Sequence, residues 1–182
     1  MEKISLSEYK KFYFDTEKCI PGEHHFVAVY LLNKFKKIPD YLNPDGMKGK
    51  CGDIVFENKN KNIEKQLSIE VKIGKKGFCF SKNETNFWFV EKNRKEALPD
   101  YLIALTENYL FIIEWKKFSD LFIQLKKPKK IESKTGNSSR IYEKELLDVF
   151  IDNSFEIDTA KEEDIEACFD KINKEIEKLW MI

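Results

Sequence analysis

Apolar and polar positions alternate with different periods along the chain. In GEHHFVAVYLLNKFKK, opened by Pro21 and Gly22, the apolar residues Phe26, Val27, Tyr30 and Leu31 recur at helical spacing. IPDYLNPDGMKGK, with two prolines and two glycines, reads as a loop. Two strands are predicted next, at 53–57 and 67–73, separated by the polar stretch NKNKN. Ser81-Lys82-Asn83-Glu84 forms a capping box, which predicts a helix running through NFWFVEKNRKEAL and stopping before Pro99. DYLIAL and NYLFIIEW read as two further strands around Thr106-Glu107-Asn108, and FSDLFIQL as a short helix. A final helix over about 160–180 carries the apolar stripe Ile165, Phe169, Ile172, Ile176 and Leu179. No internal repeat interrupts this order. The pattern predicts one α/β domain over 1–182, with 1–20 an N-terminal extension and 126–182 a basic loop followed by the C-terminal helix.

One hairpin does not fit the usual separation of charge from core. Ile69, Val71 and Ile73 alternate with Ser68, Glu70 and Lys72, while Ile54, Val55 and Phe56 follow Asp53. Side chains two apart share a face of a strand, so Ser68, Glu70 and Lys72 point one way. Facing residues in an antiparallel hairpin have numbers with a constant sum. A turn centred between Lys61 and Asn62 therefore sets Asp53 opposite Glu70. Two carboxylates at that distance repel unless a cation joins them. Oxygen-only ligands favour a hard divalent ion such as Mg²⁺, with Mn²⁺ as a substitute. Such an ion lowers the pKa of its water and offsets charge on a phosphate, and a neighbouring lysine can orient or deprotonate that water. The chemistry is metal-assisted phosphodiester hydrolysis.

At these residues the chain resembles the PD-(D/E)XK nuclease superfamily, with its restriction-endonuclease-like mixed central sheet flanked by helices. The resemblance spans roughly residues 21–115: a helix, a strand with Gly-Asp-Ile-Val, a strand with Ile-Glu-Val-Lys, a capped helix and two strands. It implies that Asp53 and Glu70 bind Mg²⁺, that the Val71 carbonyl adds a ligand, and that Lys72 assists the attacking water. Some members add a glutamate from the first helix, and Glu23 stands in that place. Gly52 precedes Asp53 where the family motif has proline. The implied activity is a Mg²⁺-dependent DNA endonuclease of the type II restriction kind, acting on duplex or branched DNA. A Holliday-junction-type resolvase and a non-catalytic nucleic-acid-binding module on the same fold are the alternatives.

The tripeptide alone selects nothing, because E-x-K occurs five times, at 8–10, 57–59, 70–72, 114–116 and 132–134. The rival is Glu114-Trp115-Lys116, which follows a literal Pro99-Asp100. Glu70 and Lys72 are flanked by apolar residues on both sides, inside a strand, whereas Glu114 ends one. The bland reading of Asp53, Glu70 and Lys72 is an ion pair on a solvated sheet face, worth about 0–1 kcal/mol. For Glu23 it is a favourable charge in the first turn of a helix. His24 and His25 are adjacent and point about 100° apart on a helix, a poor chelating pair.

The 32 basic and 32 acidic side chains cancel, so net charge selects no partner. Their distribution is polarised: residues 126–140 hold six basic groups against one acid, and 148–170 nine acids against one lysine. Lys48, Lys50, Lys75, Lys129 and Lys130 are candidate phosphate contacts, and Ser81, Lys82 and Asn83 present helix N-terminal amides that suit an anion. A homodimer would match two symmetric cuts of a duplex. Four scattered cysteines without a C-x-x-C pair, no secretion signal and no apolar run near 18 residues predict a cytoplasmic protein with no membrane partner.

Overall fold

The computed structural model describes residues 41–42, 53–57, 66–90, 98–129 and 139–180. The first strands are β1 (Tyr41–Leu42), β2 (Ile54–Glu57), β3 (Gln66–Ile73) and β4 (Gly77–Phe80). A single turn, α1 (Lys82–Glu84), widens into a π-helical stretch over Thr85–Val90. Strands β5 (Tyr101–Leu105) and β6 (Tyr109–Glu114) lead into helix α2 (Trp115–Lys126). Then come β7 (Ser139–Tyr142), α3 (Glu143–Phe150), a 3₁₀ turn, β8 (Ser154–Glu156) and α4 (Glu162–Trp180). Six strands form a mixed sheet in the order β1-β2-β3-β5-β6-β8, parallel only between β3 and β5; β4 and β7 form a separate antiparallel pair. The molecule is mixed α/β, with helices on a central sheet.

The strands expected at 53–57 and 67–73 form, and in the expected register. Ile54 faces Ile69 and Val55 faces Ser68; the ladder stops there, and Asp53, just before it, bonds the Ile69 carbonyl and the Val71 amide on either side of Glu70. Strands β5 and β6 also lie where DYLIAL and NYLFII placed them. All five β5 residues are buried, as befits a central strand covered on both faces. The final helix buries Ile165, Phe169, Ile172 and Ile176 against Ile69, Val71 and Ile103 on one sheet face. Its first turn carries Glu162, Glu163 and Asp164, which favour the positive end of the helix dipole.

The opposite face is a second core rather than a solvated surface. Leu102, Ala104, Phe111 and Ile113 pack there with Phe78, Phe80, Trp88 and Phe89 and with Trp115, Phe118 and Phe122 of α2. Glu70 and Lys72 pair in parallel with Leu102 and Ala104, so both charges point into this aromatic side. The solvated-face reading of Asp53, Glu70 and Lys72 is therefore corrected: both faces are occupied. Phe80 organises the cluster, with edge-to-face contacts to Phe89 at 5.1 Å and Trp88 at 5.8 Å.

Other expectations shift. Strand β6 ends at Glu114 and Trp115 already opens α2, so NYLFIIEW is not all strand. The 126–140 stretch is not one loop: Lys126 closes α2, and Ser139 and Arg140 belong to β7. The regions holding Glu23, His24, His25, Lys48, Lys50 and Lys130 lie outside the described residues. Among the described residues, no helix is long and apolar enough to cross a membrane, and Cys79 and Cys168 are free thiols.

The turn from β3 to β4, Gly-Lys-Lys-Gly at 74–77, is held by main-chain bonds. The Gly74 amide donates to the Leu105 carbonyl at 3.0 Å, and the Lys75 and Lys76 carbonyls accept from the Glu107 and Glu143 amides at 3.0 and 3.1 Å. Gly77 has φ +136°, and a Cβ there would come within 2.2 Å of the Ile141 carbonyl oxygen. Only glycine meets both conditions.

Candidate active site

Asp53 stands just before β2 and brackets Glu70. Its amide donates to the Ile69 carbonyl at 2.9 Å, and its carboxylate accepts from the Val71 amide at 2.7 Å. The side chain thus takes over a strand-pairing bond, one residue beyond the ladder. N–H and C=O of one strand residue point to the same lateral side, so the Val71 carbonyl also faces the β2 edge. Asp53 is 8% exposed and Glu70 3%. Glu70 is buried on a face whose neighbours are apolar, where each ion costs several kcal/mol unless compensated.

Lys72 lies two residues along the same face. Its ammonium contacts Glu70 at 2.8 Å and Glu84 at 2.6 Å, and it lies 5.2 Å from the Phe80 ring centroid and 5.8 Å from that of Trp88. Ring faces attract the cation by about 0.5–2 kcal/mol each. Burial alone would lower the Lys72 pKa, but the carboxylates of Glu70 and Glu84 outweigh it and raise the pKa above the ordinary lysine value. Lys72 is therefore a fixed cation at neutral pH and works by charge and hydrogen-bond donation, not by taking a proton. For Glu70, burial dominates; the Asp53 charge adds to it and Lys72 opposes it, leaving the pKa at about 8.

Glu84 was legible in the sequence only as a helix cap. In the structure it has two jobs. One oxygen accepts from the Ser81 amide at 2.5 Å in the capping box, and the other holds Lys72. Burial pushes its pKa up, but the Lys72 ammonium and the Ser81 bonds win and lower it. No sequence signal other than its distance from Lys72 pointed to this second role. The capping box bears on the anion site expected at Ser81, Lys82 and Asn83 by taking one of its amides. The Ser81 and Glu84 amides are already bonded within it, and α1 is a three-residue helix. Glu84→Gln keeps a polar cap but removes one of the two charges on Lys72. Its expected effect is a loss of about 1.5–3 kcal/mol of stability, the worth of a charged hydrogen bond, read as a lower melting temperature than the parent's.

The acids of the rival constellation are engaged with other partners. Asp100 is tied to the start of β3, where its carboxylate accepts from the Ser68 amide at 2.7 Å. Glu114 bonds Lys117 at 3.2 Å and Lys171 at 3.3 Å, and these bonds lower its pKa. Lys116 is exposed in the first turn of α2, beyond the strand, so it does not share a strand face with Glu114. Of the other candidates, Lys75 is an exposed residue paired with Glu107 at 3.4 Å, and Lys129 is exposed past the end of α2.

No family model, curated protein or solved structure matches the chain. The assignment of chemistry therefore rests on the site itself. Among the described residues, no group of three His, Cys, Asp or Glu side chains converges to hold a metal. The donor set is two carboxylates, Asp53 and Glu70, with the Val71 carbonyl directed to the same edge. These oxygens are of the type a hard divalent cation would take, and Glu70 would have to lose its proton first, because burial raises its pKa. Lys72 also lines a cleft of about 530 Å³.

Proposed function

We propose that this protein is a Mg²⁺-dependent nuclease that hydrolyses phosphodiester bonds in DNA, and that it belongs to the PD-(D/E)XK nucleases it resembles. The observation that carries this reading is the burial of Asp53 and Glu70 on neighbouring strands, with Lys72 bonded to Glu70 at 2.8 Å and lining a cleft. A structural ion pair gains little from such a placement, because well-packed apolar residues are often as stable or more so. A titratable group strongly perturbed by burial together with specific charged partners, as Glu70 is, marks a candidate functional site.

In this reading Asp53, Glu70 and the Val71 carbonyl would hold a cation, which would lower the pKa of water and set positive charge against the phosphate. Asp53 is oriented by its bond to the Val71 amide. Glu70 gives up its proton when a cation is taken up. Lys72, kept charged by Glu84, donates to the attacking water or to a phosphate oxygen. The aromatic wall of Phe80 and Trp88 excludes water behind the ammonium and strengthens its field.

Supercoiled plasmid is the direct test. Nicking or linearisation is expected with Mg²⁺ or Mn²⁺ and is lost with EDTA, and Lys116→Ala, on the rival tripeptide, retains the wild-type rate. Holliday junctions and flayed duplexes in parallel rank branched against continuous DNA. Intact DNA in every metal and substrate, with binding that ignores the chelator, would mark a non-catalytic nucleic-acid-binding module instead.

A further inference from the structure

The cleft beside Lys72 has a polarity that the metal site does not need. Its volume is about 530 Å³, and every charged residue lining it is cationic: Lys72, Lys75, Lys76 and Arg140. Lys75 and Lys76 project from the Gly-Lys-Lys-Gly turn, whose carbonyls are pinned by Glu107 and Glu143 and whose Gly77 cannot be replaced without a clash. Arg140 stands on β7, opposite Cys79 in the β4–β7 pair. Its Nε donates to the Cys79 Sγ at 3.2 Å, and its guanidinium lies 5.8 Å from the Tyr142 ring centroid. These cations therefore stand on a rigid frame, and Lys72 is common to the cleft and to the carboxylate cluster.

Resting on the nuclease reading, we infer that this cleft binds the sugar-phosphate backbone of one nucleic-acid strand, with Lys75, Lys76 and Arg140 on phosphates flanking the scissile one. A single small anion would be served by one or two donors. Four cations lining one cleft, carried by β3, the turn that follows it and β7, match an anion that repeats along a chain. The lysines are point charges suited to phosphate oxygens, and Arg140 adds a fork that can take two oxygens of one phosphate. No part of this surface requires base recognition, so it positions the strand without reading sequence.

The test uses the full-length protein with a short fluorescein-labelled DNA duplex in EDTA, titrated by anisotropy at several salt concentrations. Lys75, Lys76 and Arg140 are all exposed, so substituting them leaves the fold intact. The triple variant K75A/K76A/R140A is expected to bind at least about tenfold more weakly. The slope of its log-affinity against log-salt is expected to fall by about 0.9 for each phosphate that is no longer neutralised. Wild-type affinity and slope in the triple variant, with plasmid cleavage by the parent protein intact, would overturn the cleft and leave the nuclease standing. Weakened binding in the variant, with a parent that never cleaves, would keep the cleft and sink the nuclease. A parent protein that shows no salt-dependent binding would refute the cleft outright.

Discussion

Lys72→Met is expected to lower plasmid cleavage by roughly 10²–10³-fold, the usual cost of removing one preorganised donor to developing charge, while duplex binding stays within a fewfold of the parent. Methionine keeps the buried stem and the packing against Phe80 and Trp88, and it removes the ammonium alone. The loss should persist at every pH, because a lysine held above its ordinary pKa is never the titrating base. Above about pH 8, where Glu70 is ionised, removing it also leaves Glu70 and Glu84 without their shared cation, a defect of about 3–5 kcal/mol when a buried pair is broken. The companion variant Glu70→Gln/Lys72→Met takes away one of those two charges and should recover much of the melting temperature without recovering cleavage. Cleavage by Lys72→Met at the parent rate would remove the lysine from the chemistry and the proposed site with it.

The second large effect is on stability. Glu70 has a folded-state pKa of about 8 against an ordinary 4.5, chiefly because it is buried. The sign follows from proton binding. The folded protein holds the Glu70 proton more tightly than the unfolded chain does. The stabilisation is complete below the unfolded value and fades as pH rises through about 8. In EDTA the melting temperature of the parent should therefore fall between about pH 5 and about pH 9, by an amount equivalent to a few kcal/mol. Glu70→Gln should flatten that slope and melt higher than the parent at the alkaline end, yet fail to cleave. Added Mg²⁺ should restore stability to the parent at high pH and do nothing for Glu70→Gln, because only the ionised carboxylate takes up the cation. Superimposable pH profiles for the two proteins would show that Glu70 is not strained by its burial.

The sequence carried the hairpin well. Period-two alternation from Ser68 to Ile73 and a polar stretch in the right place were enough to pair Ile54 with Ile69 and bring Asp53 to the strand that carries Glu70, though Asp53 bonds Ile69 and Val71 on either side of it. Alternation says which residues share a face but not what covers that face. Glu70 and Lys72 looked as suited to solvent as to a site, because the aromatic cover comes from Phe80, Trp88 and Trp115, remote in sequence. Glu84 shows the same limit. A capping box satisfies every local rule for a glutamate, so nothing nearby betrays that its other oxygen reaches Lys72. Strands β4 and β7 escaped because each is four residues long, and they pair with each other across more than fifty intervening positions. The basic stretch misled for a related reason: composition suggested a loop, while Arg140 is held in a strand by Cys79 and Tyr142.

The parallel step between β3 and β5 also bears on how the molecule is built. Asp53, Glu70 and Lys72 come from a local pairing, whereas Phe80, Glu84 and Trp88 ride on the connection that must swing round before β5 can align. Closing that connection costs chain entropy before any contact repays it, which makes parallel alignment an intrinsically late and slow event in folding. A nascent hairpin would hold its acids and its amine without the wall or the second carboxylate that fixes them. The full constellation is born only with the finished tertiary structure, so a partly folded chain has no working centre to misuse.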